Sequence, residues 1–308
     1  MMNRKSVLVQ TSPGDKLMTF VVYFVTLLVA LLCFYPLYFT VIASVSDPYA
    51  VYTGKISFLP VGFTLESYQE VMKNSQIWQG YMNTIIYTLG GTLFNLVLTI
   101  PGAYALSKQR MFGRGFLMMI FVFTMYFSGG MVPTYIMYKN MNLIDTRLIL
   151  CIVGGVSVYN LIVTRTYFQN SISEELYEAA RIDGANELRI FWNFALPLAG
   201  PIIAVIALYY AVSHWSSYFD AMIYVTKTSY QPLQLVLRRI LIMNENAFAE
   251  AMSSDMSEDA IQMALRRTYL ANTMKYALVF IASAPMLIAY PFVQKFFVKG
   301  VMVGSLKG

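Results

Sequence analysis

Charge is what this 308-residue chain has least of. Asp, Glu, Lys and Arg together make up 12%, about half the ~25% of an average soluble domain. With 57% hydrophobic residues, that scarcity excludes a disordered chain and argues against a water-soluble enzyme of one or two domains. Cysteine occurs twice, as Cys33 and Cys151, both inside apolar runs. That rules out a disulfide framework and offers no metal-ligand spacing, so both read as small packing residues. Histidine occurs once: His214, beside Trp215, reads as a hydrogen-bonded packing residue rather than a catalyst or metal ligand. No His-Glu-x-x-His, no Gly-x-Gly-Asp and no clustered carboxylates fall within the apolar runs, which argues against an intramembrane enzyme. No Gly-x-x-x-x-Gly-Lys-Ser/Thr loop is present either, so the chain has no phosphate loop with which to bind ATP. The net charge of +6 forms no stripe or patch, and nucleic acid is not an expected partner.

What the chain does have is apolar length. A helix crossing the hydrocarbon core needs about 20 mostly apolar residues. Windows almost free of charge predict six spans, at about 17–45, 80–107, 115–138, 148–170, 194–224 and 274–294, in an all-α polytopic membrane protein of one domain. The first is too long for a signal peptide and is expected to be retained. Lys and Arg set the orientation. The N-terminus (Arg4, Lys5, Lys16), the second and fourth loops (Lys108, Arg110, Arg114; Arg165, Arg181, Arg189) and the tail (Lys295, Lys299, Lys307) are basic. The first and third loops carry only Lys55, Lys73, Lys139 and Arg147. Both termini are therefore expected in the cytoplasm. The stretch 225–273 is expected outside, a long loop with Arg238 and Arg239 and an acidic region from Glu245 to Asp259; 295–308 is expected as a cytoplasmic tail.

The fourth loop, 171–197, is the most specific part. Ser171 and Glu174 fit a capping box, and Glu178 and Arg181 stand at i,i+3 for an ion pair. Asp183-Gly184 offers a helix end, because glycine tolerates positive φ. A second short helix then runs to Leu196-Pro197. The spacing Glu178-Ala179-Ala180, Gly184, then Leu196-Pro197 resembles the cytoplasmic EAA loop of binding-protein-dependent ABC importer permeases, with Phe194 where that pattern usually has Ile. The resemblance extends along nearly the whole chain, to the sugar-importer branch and its maltose-permease-like second subunit. Trp215-Ser216-Ser217-Tyr218-Phe219 resembles a Trp-Asn-x-Phe stretch of that branch's fifth span, with Ser216 replacing Asn. The ending from Tyr290-Pro291 to Gly308 is similar to its C-terminus, and the tail and long fifth loop look most like permeases for complex oligosaccharides.

The resemblance implies a type I ABC importer permease fold and a definite set of partners. These are a second permease subunit, usually as a heterodimer, two ATPase subunits beneath, an extracellular solute-binding protein, an oligosaccharide substrate and membrane lipid. ATP and Mg would sit on the partner ATPase, with no cofactor in this chain. Glu178, Ala179, Ala180, Asp183, Gly184, Leu196 and Pro197 would form the coupling element: Glu178 and Asp183 for polar contacts, Ala180 and Gly184 for close approach of another surface. Lys299 to Gly308 would make a further contact. Polar and aromatic residues within the spans, Asn95, Tyr126, Tyr159, Asn160, Tyr210, His214, Trp215 and Tyr218, are candidates for a sugar path. The alternative is a secondary transporter or channel working without ATP. That class carries intramembrane charges for ion coupling, and these spans are almost free of them.

Overall fold

The computed structural model describes residues 13–240, 242 and 258–305. Every regular element among them is helical. The chain divides into two compact units, residues 1–70 with 248–280, and residues 71–247 with 281–308.

In the first unit, α1 (Pro13–Ser44) is 32 residues long, or about 48 Å at 1.5 Å per residue, more than a bilayer core requires. It buries only Ile42, Ala43 and Ser44. The apolar side chains that line the rest of it face outward, a surface suited to lipid rather than water. Cys33 is exposed there, on the outward-facing part of α1, and not in an interior where it was read as a packing residue. After α1, Asp47 caps α2 (Pro48–Tyr52) by accepting from the Ala50 N–H at 3.0 Å. Ile42, Ala50 and Ile56 close a small core. Helix α3 (Glu66–Lys73) begins at Glu66, which pairs with Arg266 at 3.3 Å. The Tyr269 ring packs against Tyr49 and Tyr52, at 5.5 and 4.7 Å between centroids.

The second unit is built on α4 (Ser75–Ser107), capped by the Asn74 side chain accepting from Gln76 N–H. Helices α5 (Arg114–Tyr126), α6 (Met131–Asn140), α7 (Arg147–Ile152) and α8 (Val158–Ser171) follow. Next come α9 (Glu174–Ile182) and α10 (Glu187–Ile190), the latter continued by a π-helical turn over Phe191–Ala195 and by Leu196–Leu198. Helices α11 (Gly200–Ser216), α12 (Phe219–Tyr224) and α13 (233–240) lead towards α14 (Glu258–Ser305), which is shared between the two units. Within the second unit α4 packs chiefly against α11, α8 and α7.

Among the described residues three helices are long and apolar enough to cross a membrane: α1, α4 and the Leu265–Pro291 part of α14. Two more crossings arise only if bent pairs are joined, α5 with α6 at 113° and the 187–198 segment with α11 at 78°. The expected span at 115–138 is thus not straight, and that at 148–170 is two short helices. Glycine explains both. Gly130 has φ +87 and gives its N–H to Ser128 Oγ, while Gly154 has φ +68 in the break between α7 and α8. Apolar content does not register such breaks, because a glycine-containing run stays hydrophobic as it stops being helical. At the far end α14 is helical from 258, so part of the stretch expected as loop is helix, as is the tail to Ser305. Residues 243–257, with the acidic stretch from Glu245 to Asp255, and 306–308 lie outside the described residues.

One end of α4 is tied to the 229–233 segment. Asn83 Nδ2 donates to the carbonyls of Ser229 and Gln231, Tyr87 OH to that of Tyr230, and Leu233 N–H to Thr84 Oγ1. At this end Asp145, itself at φ +60, accepts from the Thr226 N–H and hydroxyl at 2.6 and 2.7 Å and from the Lys227 N–H at 3.2 Å. The Thr226 hydroxyl and N–H hold its carboxyl below the ordinary carboxylate range. A lowered folded value means that the tie is fully present above the ordinary carboxylate range and is lost as pH falls through the lower, folded value. The melting temperature of the purified protein should therefore fall more between about pH 5 and about pH 2 than that of Asp145→Asn. Parallel pH profiles for the two proteins would show that Asp145 does not carry this tie.

Candidate functional site

The other end of α4 meets the loop that sequence analysis singled out. Helix α9 starts later than expected. Ser171 is the last residue of α8, and Ser173 precedes α9 without a side-chain cap, so the Ser171–Glu174 capping box does not form. Glu174 and Glu175 still place negative charge on the first turn, where the helix dipole favours it. The expected Glu178–Arg181 pair is also replaced. Arg181 turns to Glu187 (Nε–Oε1 3.0 Å) and Glu174 (3.6 Å), and Glu178 lies 3.7 Å from Arg110. Bonding to Glu187 holds α9 against the start of α10, something that a pair within α9 could not do.

Gly184 ends α9 at φ +78, with its N–H on Arg181 O and the Ala185 N–H on Ala180 O. A Cβ there would meet nothing within 4 Å, so the backbone conformation, not crowding, requires glycine. The two alanines face opposite ways. Ala179 is exposed with Glu175, Glu178, Ile182 and Asp183, whereas Ala180 is buried at 4% beside Tyr177 at 1%. Ala180 was expected to admit another surface. Its small side chain instead lets α9 lie against this chain's own core. Leu196 packs on the same core, and Pro197 is exposed.

That core is aromatic. Tyr104 of α4 stands 6.1 Å from the Tyr177 ring, 5.5 Å from Phe168 of α8 and 5.0 Å from Phe191, so one ring joins α4, α8, α9 and the helix after α9. Lys108, the residue that ends α4, inserts among these rings. Its Nζ is 4.4 Å from the Tyr104 centroid and 2.8 Å from that of Tyr177. Burial pushes the amine down to about 8, against the opposing pull of Glu174 and Glu187, and burial pushes the Tyr177 hydroxyl up to about 12. Tyr104, Lys108, Tyr177 and Glu187 were not singled out from the sequence. The i,i+3 spacing of Tyr177 and Ala180 was the available signal for a buried face.

Midway along α4 lies a cavity of about 370 Å³, lined from α4 by Asn95, from α8 by Asn160 and from α11 by Tyr209, Tyr210, Ser213 and His214. Ser217 and Asp220 line it beyond α11. Asn95 holds the cavity wall together. Its Oδ1 is 2.7 Å from His214 Nε2, and its Nδ2 donates to Gly155 O at 2.8 Å. The Tyr210 hydroxyl bridges Thr99 Oγ1 and the Ser157 N–H. Of the eight residues proposed for a sugar path, Asn95, Asn160, Tyr210 and His214 meet here. The others lie elsewhere. Trp215 donates to Ala282 O and packs on Tyr81, Tyr218 lies under Arg238, and Tyr126 and Tyr159 are exposed.

Comparison with known proteins places this geometry in a family. Residues 75–303 match the family model of the binding-protein-dependent transport system inner membrane component. The chain is 36% identical over 294 residues to the polygalacturonan/rhamnogalacturonan transport system permease protein YtcP of Bacillus subtilis (strain 168), covering 96% of this chain and 99% of that one. It is 37% identical over 249 residues to protein LplC of the same organism, covering 81% of each. It also superimposes, with a TM-score of 0.81 and 35% identity, on a chain from the crystal structure of a bacterial ABC transporter involved in the import of the acidic polysaccharide alginate, covering 93% of this chain and 98% of that one. The chain therefore belongs to the family of binding-protein-dependent transport system inner membrane components and has the all-α fold of a type I ABC importer permease.

Proposed function

We propose that this chain forms half of the translocation pathway of an ATP-driven importer of oligosaccharides, acidic ones included. The observation that carries the coupling role is the two-sidedness of α9. Tyr177 and Ala180 anchor it in the aromatic core, while Glu178, Ala179 and Ile182 are left exposed beside a glycine-ended turn. Ile182, Leu188 and Trp192 expose 85%, 71% and 61% of their surface near this turn, apolar area of the kind that a protein partner covers. In this reading an ATPase grips α9 from the cytoplasm. Closure of the ATPase dimer then moves α4 and α8 as packed rigid bodies, giving alternating access. The ATPase holds ATP and Mg and performs the hydrolysis; this chain supplies no catalytic group. The termini are cytoplasmic, a second permease subunit completes the pathway, and an extracellular binding protein delivers the sugar to the Asn83–Asp145 end.

Carbohydrate is supported by the relatives named for polygalacturonan, rhamnogalacturonan and alginate. It also suits the cavity around Asn95, whose amides, hydroxyls and rings match a polyol with apolar C–H faces. Its volume lies at the small end of the ~300–1,000 Å³ of small-molecule sites, room for a sugar unit or two rather than a chain. Arg147, Lys227 and Arg238, each held over a tyrosine ring at the opposite end from α9, favour acidic sugars. The test is purification followed by uptake. The chain should bring down an ATPase and a second permease, and proteoliposomes of the complex should accumulate oligogalacturonate only with ATP inside the cell-facing compartment. Uptake that persists without ATP would replace this reading with a secondary transporter.

A further inference from the structure

Beside α9 the second unit holds a separate polar cleft of about 280 Å³, and its most unusual group is Lys108. The residue is only 9% exposed, and its Nζ has no hydrogen-bond partner among the described residues. An ammonium carries three donors, and leaving such a charge buried without an acceptor is costly. The tyrosine faces offset part of that cost through their quadrupoles but supply no lone pair. The nearest carboxylates do not fill the gap, since Glu174 and Glu187 both turn to Arg181. The cleft is open enough for a side chain. Its walls add the amides of Gln109, Gln169 and Asn170, and the buried Tyr177 hydroxyl is likewise without a partner.

We propose that this cleft receives a carboxylate side chain, Asp or Glu, of the ATPase subunit, with Lys108 as its principal donor. The inference rests on the ATPase-coupling reading above and names a contact that the exposed face of α9 does not supply. A carboxylate fits better than a neutral group because it balances the ammonium and accepts several hydrogen bonds at once, and charge-assisted bonds are the strong ones. Two rim residues, Glu174 and Tyr177, belong to α9 itself, so the contact would lock the first turn of α9 while the exposed face engages the partner. With the site empty, Lys108 is a desolvated charge; with it filled, the same charge becomes a bond between the subunits.

The test uses the purified complex with its ATPase. A zero-length carbodiimide, which joins an amine to a carboxylate only in direct contact, should link Lys108 to an acidic residue of the ATPase, as read by peptide mass spectrometry. Lys108→Met keeps the apolar stem between the rings and removes the charge. It should weaken ATPase retention about tenfold or more, with Lys108→Arg restoring most of it. A purely structural role predicts otherwise. Removing an unpaired buried charge should not lower the melting temperature of the ATPase-free permease, so a fall there, with unchanged retention, would overturn the proposal. So would a link from Lys108 only to Glu174, or none while other amine–carboxylate pairs of the complex react. An ATPase that fails to co-purify with the wild-type chain would sink the coupling reading and this site with it; an ATPase retained beside an unreactive Lys108 overturns the carboxylate site alone.

Discussion

Tyr177→Ala should reduce ATP-driven uptake by tenfold or more while the protein still inserts and purifies. The ring is almost completely buried, between Lys108 and the Tyr104 ring. Truncating a buried aromatic residue costs about 3–5 kcal/mol in a well-packed core. Here the loss falls where α9 joins α4. The exposed face of α9, with Glu178 and Ala179, is untouched, so an ATPase should still bind. What fails is transmission, because a cavity beneath α9 lets it move without carrying α4 and α8 along. Hydrolysis should continue at a basal rate but lose its stimulation by loaded binding protein. Tyr177→Phe, which keeps the ring packed against Tyr104, should retain most of the uptake that Tyr177→Ala loses. Uptake by Tyr177→Ala within twofold of wild type, measured in proteoliposomes, would show that the aromatic core is not the route of coupling.

Gly91→Ala should have the second-largest effect. Glycine stands one turn before Asn95 on α4, and a Cβ there would overlap the His214 ring. That is far inside van der Waals contact, so the imidazole must turn away. Doing so breaks its 2.7 Å bond to Asn95, a side chain with no exposed surface. Overpacking of this kind costs about 1–3 kcal/mol, and the cavity wall shifts with the ring. Uptake should fall severalfold and the melting temperature in detergent by several degrees. His214→Ala alone should also weaken the site, by leaving Asn95 Oδ1 unpaired. Combined with Gly91→Ala it makes room for the new methyl, so the double variant should be more stable than the two single losses added together. Strict additivity would mean that Gly91 and His214 are not in the contact described.

How much of this was legible beforehand follows from which interactions are local. Apolar length announced the long helices, since a charge-free run of some twenty residues has few fates other than a span. Gly184 was legible as a helix end because positive φ is a property of one residue. The α5–α6 bend and the α7–α8 break were present in the sequence as Gly129-Gly130 and Gly154-Gly155, but apolar counting passes over glycine. The ion pairs were misread for a related reason. Glu178 and Arg181 satisfy the i,i+3 rule, yet Arg110 and Glu187, from a loop and the next helix, compete for them and win. Ala180 was read outward and lies inward, because a single short helix does not reveal which of its faces the rest of the chain covers.

By itself, the order of residues determined that this is a membrane-embedded helical chain whose 171–197 loop carries a glycine helix end and the spacing of its family's pattern, because hydrophobic run length, positive φ and motif spacing are properties of neighbours along the backbone. Only the tertiary structure decided that Tyr104, Lys108 and Tyr177 form one cluster and that Asn95 meets His214 across 119 positions. Those are contacts between segments far apart in the chain, fixed by how helices pack and by where buried polar groups find partners, and no local pattern encodes them.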